Sequence, residues 1–224
     1  GRIYRALEAP RNVSVRSKEE QLPKPEDLWM VRTVHQHFGS DPLQFENFAA
    51  DMWVQSDPNV SSIEVTRPSR DGGRDAVGEY RLGPDADPIR LEFALEAKCY
   101  NPDGGGVGVR LVSLLISRSK HRQFGVFVTT AFIAQQAYQD VREDEHPVVF
   151  LSGRDITNIL KRMGLTDHQT LSTYLTLRYP VRETAGPRVD LVIPDADVTV
   201  CLPLYPAPRE PATATDHRPE TRRA

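Results

Sequence analysis

Three side chains near the middle of the 224-residue chain are of the types that metal-dependent hydrolysis requires: Asp75, Glu96 and Lys98. Glu96 and Lys98 stand two positions apart in an alternating stretch, so their side chains point to the same side of one strand. Asp75 opens the preceding strand, and a short loop rich in turn-forming residues predicts that the two strands form an antiparallel hairpin. Because the start of one hairpin strand lies beside the end of the other, we expect the three side chains to converge.

A close pair of carboxylates needs a cation. Each carboxylate raises the pKa of the other unless a positive charge neutralises the pair. Mg2+ does so with few protein ligands and keeps waters that can be deprotonated, and Mn2+ is a substitute with the same preference for oxygen. A protonated Lys98 does not ligate a metal, but it can stabilise an attacking hydroxide or the charge that develops on a phosphate. The set therefore predicts metal-dependent phosphodiester hydrolysis.

A non-catalytic interpretation competes with this one, because a Glu-x-Lys spacing is common on solvated strand faces. The catalytic hypothesis is favoured by Asp75 on the adjacent strand and by Glu46 on a predicted helix. Glu46 lies beside an apolar stripe of that helix, where a lone glutamate is usually a polar boundary residue. Both interpretations of Glu46, boundary residue and member of the site, stay open on the residues alone.

Arginines flank the predicted site. Arg70 and Arg74 lie in the turn before Asp75, and Arg110 follows a glycine-rich loop. Because a guanidinium matches the oxygens of a phosphate, these three arginines are the best candidates for phosphate contacts. A solvated surface is the alternative.

Composition limits the class of protein. The chain is 39% hydrophobic and 26% charged, as expected of one globular domain, and its net charge of -3 argues against a protein that coats nucleic acid indiscriminately. No apolar run approaches the roughly 20 residues of a membrane span, which predicts no membrane partner. The two cysteines, Cys99 and Cys201, lack metal-type spacing and favour a reducing, cytoplasmic location.

Hydrophobic periodicity predicts five helices and five strands. The predicted helices span 27–38, 42–55, 110–119, 131–142 and 153–164. The predicted strands span 61–67, 75–82, 88–100, 124–130 and 147–152. Strands that first form hairpins and later alternate with helices predict an α/β fold with a mixed central β-sheet flanked by helices on both faces.

Four regions follow from this pattern. Residues 1–25 are charged, contain proline and are weakly periodic, so we expect an N-terminal arm or linker. Residues 26–180 form the predicted folded domain. Residues 181–203 contain accessory strands in this interpretation, and residues 204–224, rich in Pro, Ala, Thr and charge, are predicted to be a disordered tail.

The order of four motifs resembles a known family. "FENFAADMW", "DGGRD", "LEAKCY" and "FGVFVTTAF" are followed by an alanine-containing predicted helix. Together they resemble the catalytic domain of Mrr-type restriction endonucleases, within the PD-(D/E)xK nuclease superfamily, over roughly residues 43–160. The resemblance implies a restriction-endonuclease-like fold, DNA as substrate and Mg2+ as cofactor.

The resemblance also implies roles for individual residues. The helix glutamate of the family falls on Glu46, its metal-binding aspartate on Asp75, and its second acidic residue and lysine on Glu96 and Lys98. The backbone carbonyl of Ala97 is implied as a further metal ligand. Members that cut near modified cytosines often have Gln at the position of Glu96, and this chain keeps the acidic form.

The function predicted is an Mg2+-dependent DNA endonuclease of the restriction or host-defence type, the cleavage domain of a longer enzyme whose DNA-recognition domain lies upstream. Cutting both strands of double-stranded DNA usually needs two active sites, so we expect a homo-oligomer. A requirement for modified bases stays open. One alternative is a catalytically inactive DNA-binding or assembly module with a nuclease fold.

A dinucleotide-binding site at residues 104–109 is disfavoured because the third glycine of the G-x-G-x-x-G pattern is replaced by Val109.

Overall fold

The structure is a computed structural model that describes residues 14–66, 75–118 and 122–180. Features predicted outside these ranges are Arg70, Arg74, the accessory strands at 181–203 and the tail at 204–224.

The described residues contain seven α-helices and one mixed sheet, and the five predicted helices and five predicted strands follow the predicted order. The helices are α1 (Lys18–Gln21), α2 (Leu28–Phe38), α3 (Pro42–Ser56), α4 (Val109–Arg118), α5 (Gln135–Glu143), α6 (Gly153–Arg162) and α7 (His168–Arg178). The strands are β1 (Val60–Val65), β2 (Ala76–Leu82), β3 (Ile89–Lys98), β4 (Phe124–Thr129) and β5 (Val148–Leu151). No helix in this part of the chain is both long and apolar enough to span a bilayer.

The sheet has the order β1-β2-β3-β4-β5. Neighbours are antiparallel from β1 to β3 and parallel from β3 to β5. A hairpin connects β2 and β3, whereas the parallel connections need crossover helices, and α4 and α5 supply them. The predicted mixed sheet is therefore confirmed.

Each face of the sheet carries an apolar core. Phe93 and Leu95 of β3 belong to a large core with residues of α2, α3, α6 and α7. Ala94, between them in the chain, belongs to a second core with residues of α4 and α5. Helices therefore cover both faces, as predicted, and strand alternation places Glu96 and Lys98 on the side of Ala94.

Several residues that favour helix or strand boundaries in the sequence lie at or near such boundaries in the structure. The Asp41 side chain accepts a hydrogen bond from the Gln44 backbone N–H at 3.2 Å and caps α3. Gly164, with φ of +81°, follows α6 in the left-handed region that favours glycine. Inside β2, a Cβ on Gly78 would lie 2.1 Å from the Ser62 carbonyl oxygen, so only glycine fits there.

Two element predictions were wrong in part. The helix predicted from Ala131 begins at Gln135, because Ile133 instead forms a parallel bridge with Val107. No element was predicted for residues 165–180, where α7 lies. Its signal was present, since Leu171 and Leu175 are four residues apart and both are fully buried.

Residues 14–25, predicted as part of an arm or linker, pack on the domain. The Arg16 guanidinium donates to both carboxylate oxygens of Asp155 at 3.0 and 2.9 Å. The Gln21 side chain is completely buried against Ile133. These partners lie more than 100 positions away in the chain, which is why local periodicity did not indicate this packing.

Candidate active site

The β2–β3 hairpin brings the predicted acidic residues together. Ala76 pairs with Leu95, so Asp75 lies beside Glu96 at the end of the ladder. The Asp75 backbone N–H donates to the Leu95 carbonyl at 3.1 Å, and the Ala97 N–H donates to Asp75 Oδ2 at 2.7 Å. The carboxylate of Asp75 is thus held by backbone on the adjacent strand and has little freedom to rotate away.

Lys98 Nζ lies at the point where three oxygen atoms converge. It is 2.8 Å from Glu96 Oε1, 3.4 Å from Asp75 Oδ2 and 2.9 Å from the carbonyl oxygen of Ala97. Glu96 is only 2% exposed and Asp75 9% exposed. We call Asp75, Glu96 and Lys98, with the Ala97 carbonyl, the hairpin cluster.

The electrostatics of the hairpin cluster keep the lysine charged. Burial by itself would lower the pKa of Lys98, but the charges of Asp75 and Glu96 and their hydrogen bonds outweigh burial and raise that pKa above its ordinary value. Lys98 is therefore an ammonium group at neutral pH and donates hydrogen bonds only.

Glu46 of α3 is coupled to the same cluster. Burial raises the pKa of Glu46, and the negative charges of Asp75 and Glu96 raise it further, to about 7, although Lys98 partly opposes the change. Both interpretations of Glu46, boundary residue and member of the site, stay predictions. A carboxyl group with a pKa near neutrality can hold or release a proton under working conditions.

The hairpin cluster fits a hard divalent cation. Its oxygens come from two carboxylates and one backbone carbonyl, and all three lie within 3.4 Å of one positively charged nitrogen. In the described part of the chain, no three His, Cys, Asp or Glu side chains form a metal-binding group. A site with two carboxylates and one carbonyl would leave the other coordination positions of such a cation to water.

Of the three predicted arginines, Arg110 alone lies within the described residues. Arg110 is exposed in the first turn of α4, after the glycine-rich loop. Arg70 and Arg74 lie outside the described residues. Contact with phosphate stays a prediction for all three side chains.

Sequence reasoning missed a support of the site, Gln21 of α1. Its carboxamide bonds to the backbone of Ile133, in the turn between β4 and α5. One local signal was available, because Ser17 and Glu20 have the spacing of a capping box, and the structure forms both of its hydrogen bonds. That signal indicates a short helix but not its partner.

Comparisons with known proteins concern the family and the fold of the chain. A family model described as "Restriction endonuclease" (Mrr_cat) matches residues 39–160. The solved structure of "DNA modification-dependent restriction endonuclease AspBHI" is 44% identical with a TM-score of 0.68, and the match covers 75% of this chain and 43% of that protein. "MspJI Restriction Endonuclease in Complex with 27-mer Oligonucleotide" is 24% identical with a TM-score of 0.62, covers 73% of this chain and 38% of that protein, and shows similarity of fold. No curated protein matches.

Proposed function

The chain belongs to the restriction endonuclease family that this model describes, and from this premise we propose that it is the Mg2+-dependent cleavage domain of a longer DNA endonuclease. The observation that carries the proposal is the convergence of Asp75, Glu96 and the Ala97 carbonyl on Lys98 Nζ. The chain spans less than half of the two solved proteins it matches, so the substrate and partners of a whole enzyme are part of the proposal.

In the proposed mechanism, Asp75, Glu96 and the Ala97 carbonyl hold the cation. Bound Mg2+ supplies a Lewis acid for the phosphate and lowers the pKa of water. Lys98 contacts the same three oxygen atoms and would stabilise negative charge on the attacking oxygen or on the phosphate. Glu46, with its pKa near 7, exchanges a proton beside the cluster.

We propose double-stranded DNA in the cytoplasm as the substrate, in a restriction or host-defence role. The name of the 44% identical relative supports testing DNA that carries modified bases. The second solved protein was captured in complex with an oligonucleotide, which supports DNA as a partner. Cutting two strands usually needs two active sites, so the proposal includes a homo-oligomer on DNA. Measuring the molecular mass of the protein with and without DNA tests this part of the proposal.

Cleavage of unmodified and cytosine-modified plasmid tests the proposal. The protein is expected to cut in Mg2+ or Mn2+ and to stop in EDTA. Asp75→Asn should abolish cutting, because asparagine lacks the negative charge. Asparagine still offers an acceptor to the Ala97 N–H. Glu79→Gln is the matched control, since Glu79 lies on the same strand but pairs with Arg90 on the surface.

Two results would overturn the proposal. Asp75→Asn protein that cuts as fast as the unchanged protein would remove the hairpin cluster from the chemistry. Folded protein that binds DNA but neither binds Mg2+ nor cuts would identify the inactive binding module instead.

A further inference from the structure

The loop that follows Lys98 is anchored at both ends to one turn. This loop, residues 99–108, leads from β3 into α4, and the turn, residues 130–134, leads from β4 into α5. At the near end, the Thr130 hydroxyl donates to the Tyr100 carbonyl at 2.5 Å. We name these two segments the site loop and the support turn.

At the far end, the site loop and the support turn form a short parallel ladder around Val107. The Val107 N–H donates to the Phe132 carbonyl at 2.8 Å, and the Ala134 N–H donates to the Val107 carbonyl at 2.9 Å. Val107 is completely buried. The position of the site loop beside the hairpin cluster therefore depends on the support turn staying in place.

Gln21 holds the support turn from its other side. Gln21 Oε1 accepts from the Ile133 N–H at 2.8 Å, and Nε2 donates to the Ile133 carbonyl at 3.0 Å. Nε2 also donates to the Arg16 carbonyl at 3.0 Å. The side chain thus pairs with Ile133 as a neighbouring strand would, and it does so with no exposed surface.

We infer that Gln21 is a positioning residue for the proposed cleavage reaction, acting through the support turn on the site loop. Misplacement of groups by about 1 Å is enough to slow an enzyme strongly. Gln21 lies outside residues 39–160, the range that the family model matches, so the active geometry of this chain depends on a segment beyond that range. The catalytic part of this inference rests on the proposed function, whereas the anchoring part does not.

Gln21→Leu tests the inference, because leucine keeps the apolar volume and removes all three hydrogen bonds. Hydrogen exchange of the Val107 amide is expected to accelerate on the order of tenfold, since its ladder opens more readily. Turnover of DNA is expected to fall on the order of tenfold, with KM for DNA changed less than about twofold. Gln21→Asn keeps the carboxamide but is one methylene too short to reach all of these partners, so it should show smaller changes in both measurements than Gln21→Leu.

Asp167→Ala is the control for general loss of stability. Asp167 caps α7 by accepting from two backbone N–H groups, and α7 does not contribute to the site loop. The two variants are compared at temperatures where the same fraction is folded. Equal Val107 exchange in Gln21→Leu and Asp167→Ala would overturn the anchoring role.

Faster Val107 exchange with unchanged turnover would overturn the positioning role. If the unchanged protein binds metal but does not cut DNA, the proposed function fails. The exchange measurement still decides in that case whether Gln21 holds the site loop. If Gln21→Leu does not fold, the comparison of Gln21→Asn with Asp167→Ala decides both questions.

Discussion

Two clusters of charge, one at the carboxyl end of β3 and one just beyond β5, differ in how their charges balance. At the hairpin cluster, two carboxylates face one ammonium, and the acid Glu46 interacts with their charges. After β5, Asp155 accepts from the backbone and hydroxyl of Ser152, both at 2.8 Å, and from the Arg16 guanidinium. We call Arg16, Ser152 and Asp155 the cap cluster.

The cap cluster is complete within the protein. One carboxylate meets one guanidinium and the start of a helix, where negative charge is favourable. The hairpin cluster retains an excess of negative charge in a buried site, which costs free energy unless a cation is bound. The balanced charges of the cap cluster hold α6 against the segment that contains Arg16. The unbalanced charge of the hairpin cluster is suited to binding a metal.

The largest difference should appear when one acid of each cluster is removed. Asp75→Asn should lower DNA cleavage on the order of 1,000-fold, equivalent to about 4 kcal/mol of barrier, because the metal site loses a charge. The free energy of unfolding without metal should change by less than about 1 kcal/mol, since asparagine still accepts from the Ala97 N–H. Denaturant unfolding and cleavage rates measure both, and a large loss of stability with unchanged cleavage would reverse the assignment.

The opposite outcome is expected at the cap cluster. Asp155→Ala should lower the free energy of unfolding by about 2–3 kcal/mol, because it leaves the half-buried Arg16 without its carboxylate and α6 without its cap. Cleavage by the folded fraction should stay within about threefold, since Asp155 touches no member of the hairpin cluster. A thousandfold loss of cleavage at full folding would contradict the distinction between the clusters.

A pH dependence should separate the clusters further. The folded-state pKa of Glu46, about 7, lies above its ordinary value of 4.5, so the stability that Glu46 contributes is fully present below pH 4.5 and is lost as pH rises through 7. Glu46→Gln removes this decline and, allowing for solvent screening, should stabilise metal-free protein at pH 8 by about 1–2 kcal/mol. Unfolding at pH 5 and pH 8 in EDTA measures the effect, and an equal gain at both values would refute it.

The smallest expected effect is stabilisation by the metal itself. Mg2+ at about five times its Kd should raise the free energy of unfolding by about 1 kcal/mol, because it binds the folded state. The same increment should persist in Asp155→Ala and disappear in Asp75→Asn. Thermal melting with and without Mg2+ measures this, and stabilisation of Asp75→Asn to the same extent would place the cation elsewhere.

Local patterns were sufficient for much of the fold and for part of the site. Alternation in β3 and the short β2–β3 loop were enough to predict that Asp75, Glu96 and Lys98 meet. Their roles in catalysis stay a prediction. The same reasoning placed the start of α5 four residues early, because helical periodicity does not reveal the bridge between Ile133 and Val107.

What the sequence by itself determined is the geometry that arises between neighbours in the chain: strand faces, helix caps and the hairpin. Only the tertiary structure decided how strongly Glu46 is coupled to the hairpin cluster and that Gln21 supports a turn 112 residues away. The physical reason is that burial and long-range hydrogen bonds depend on how elements pack together. A single glutamate or glutamine carries no local pattern that specifies its distant partner.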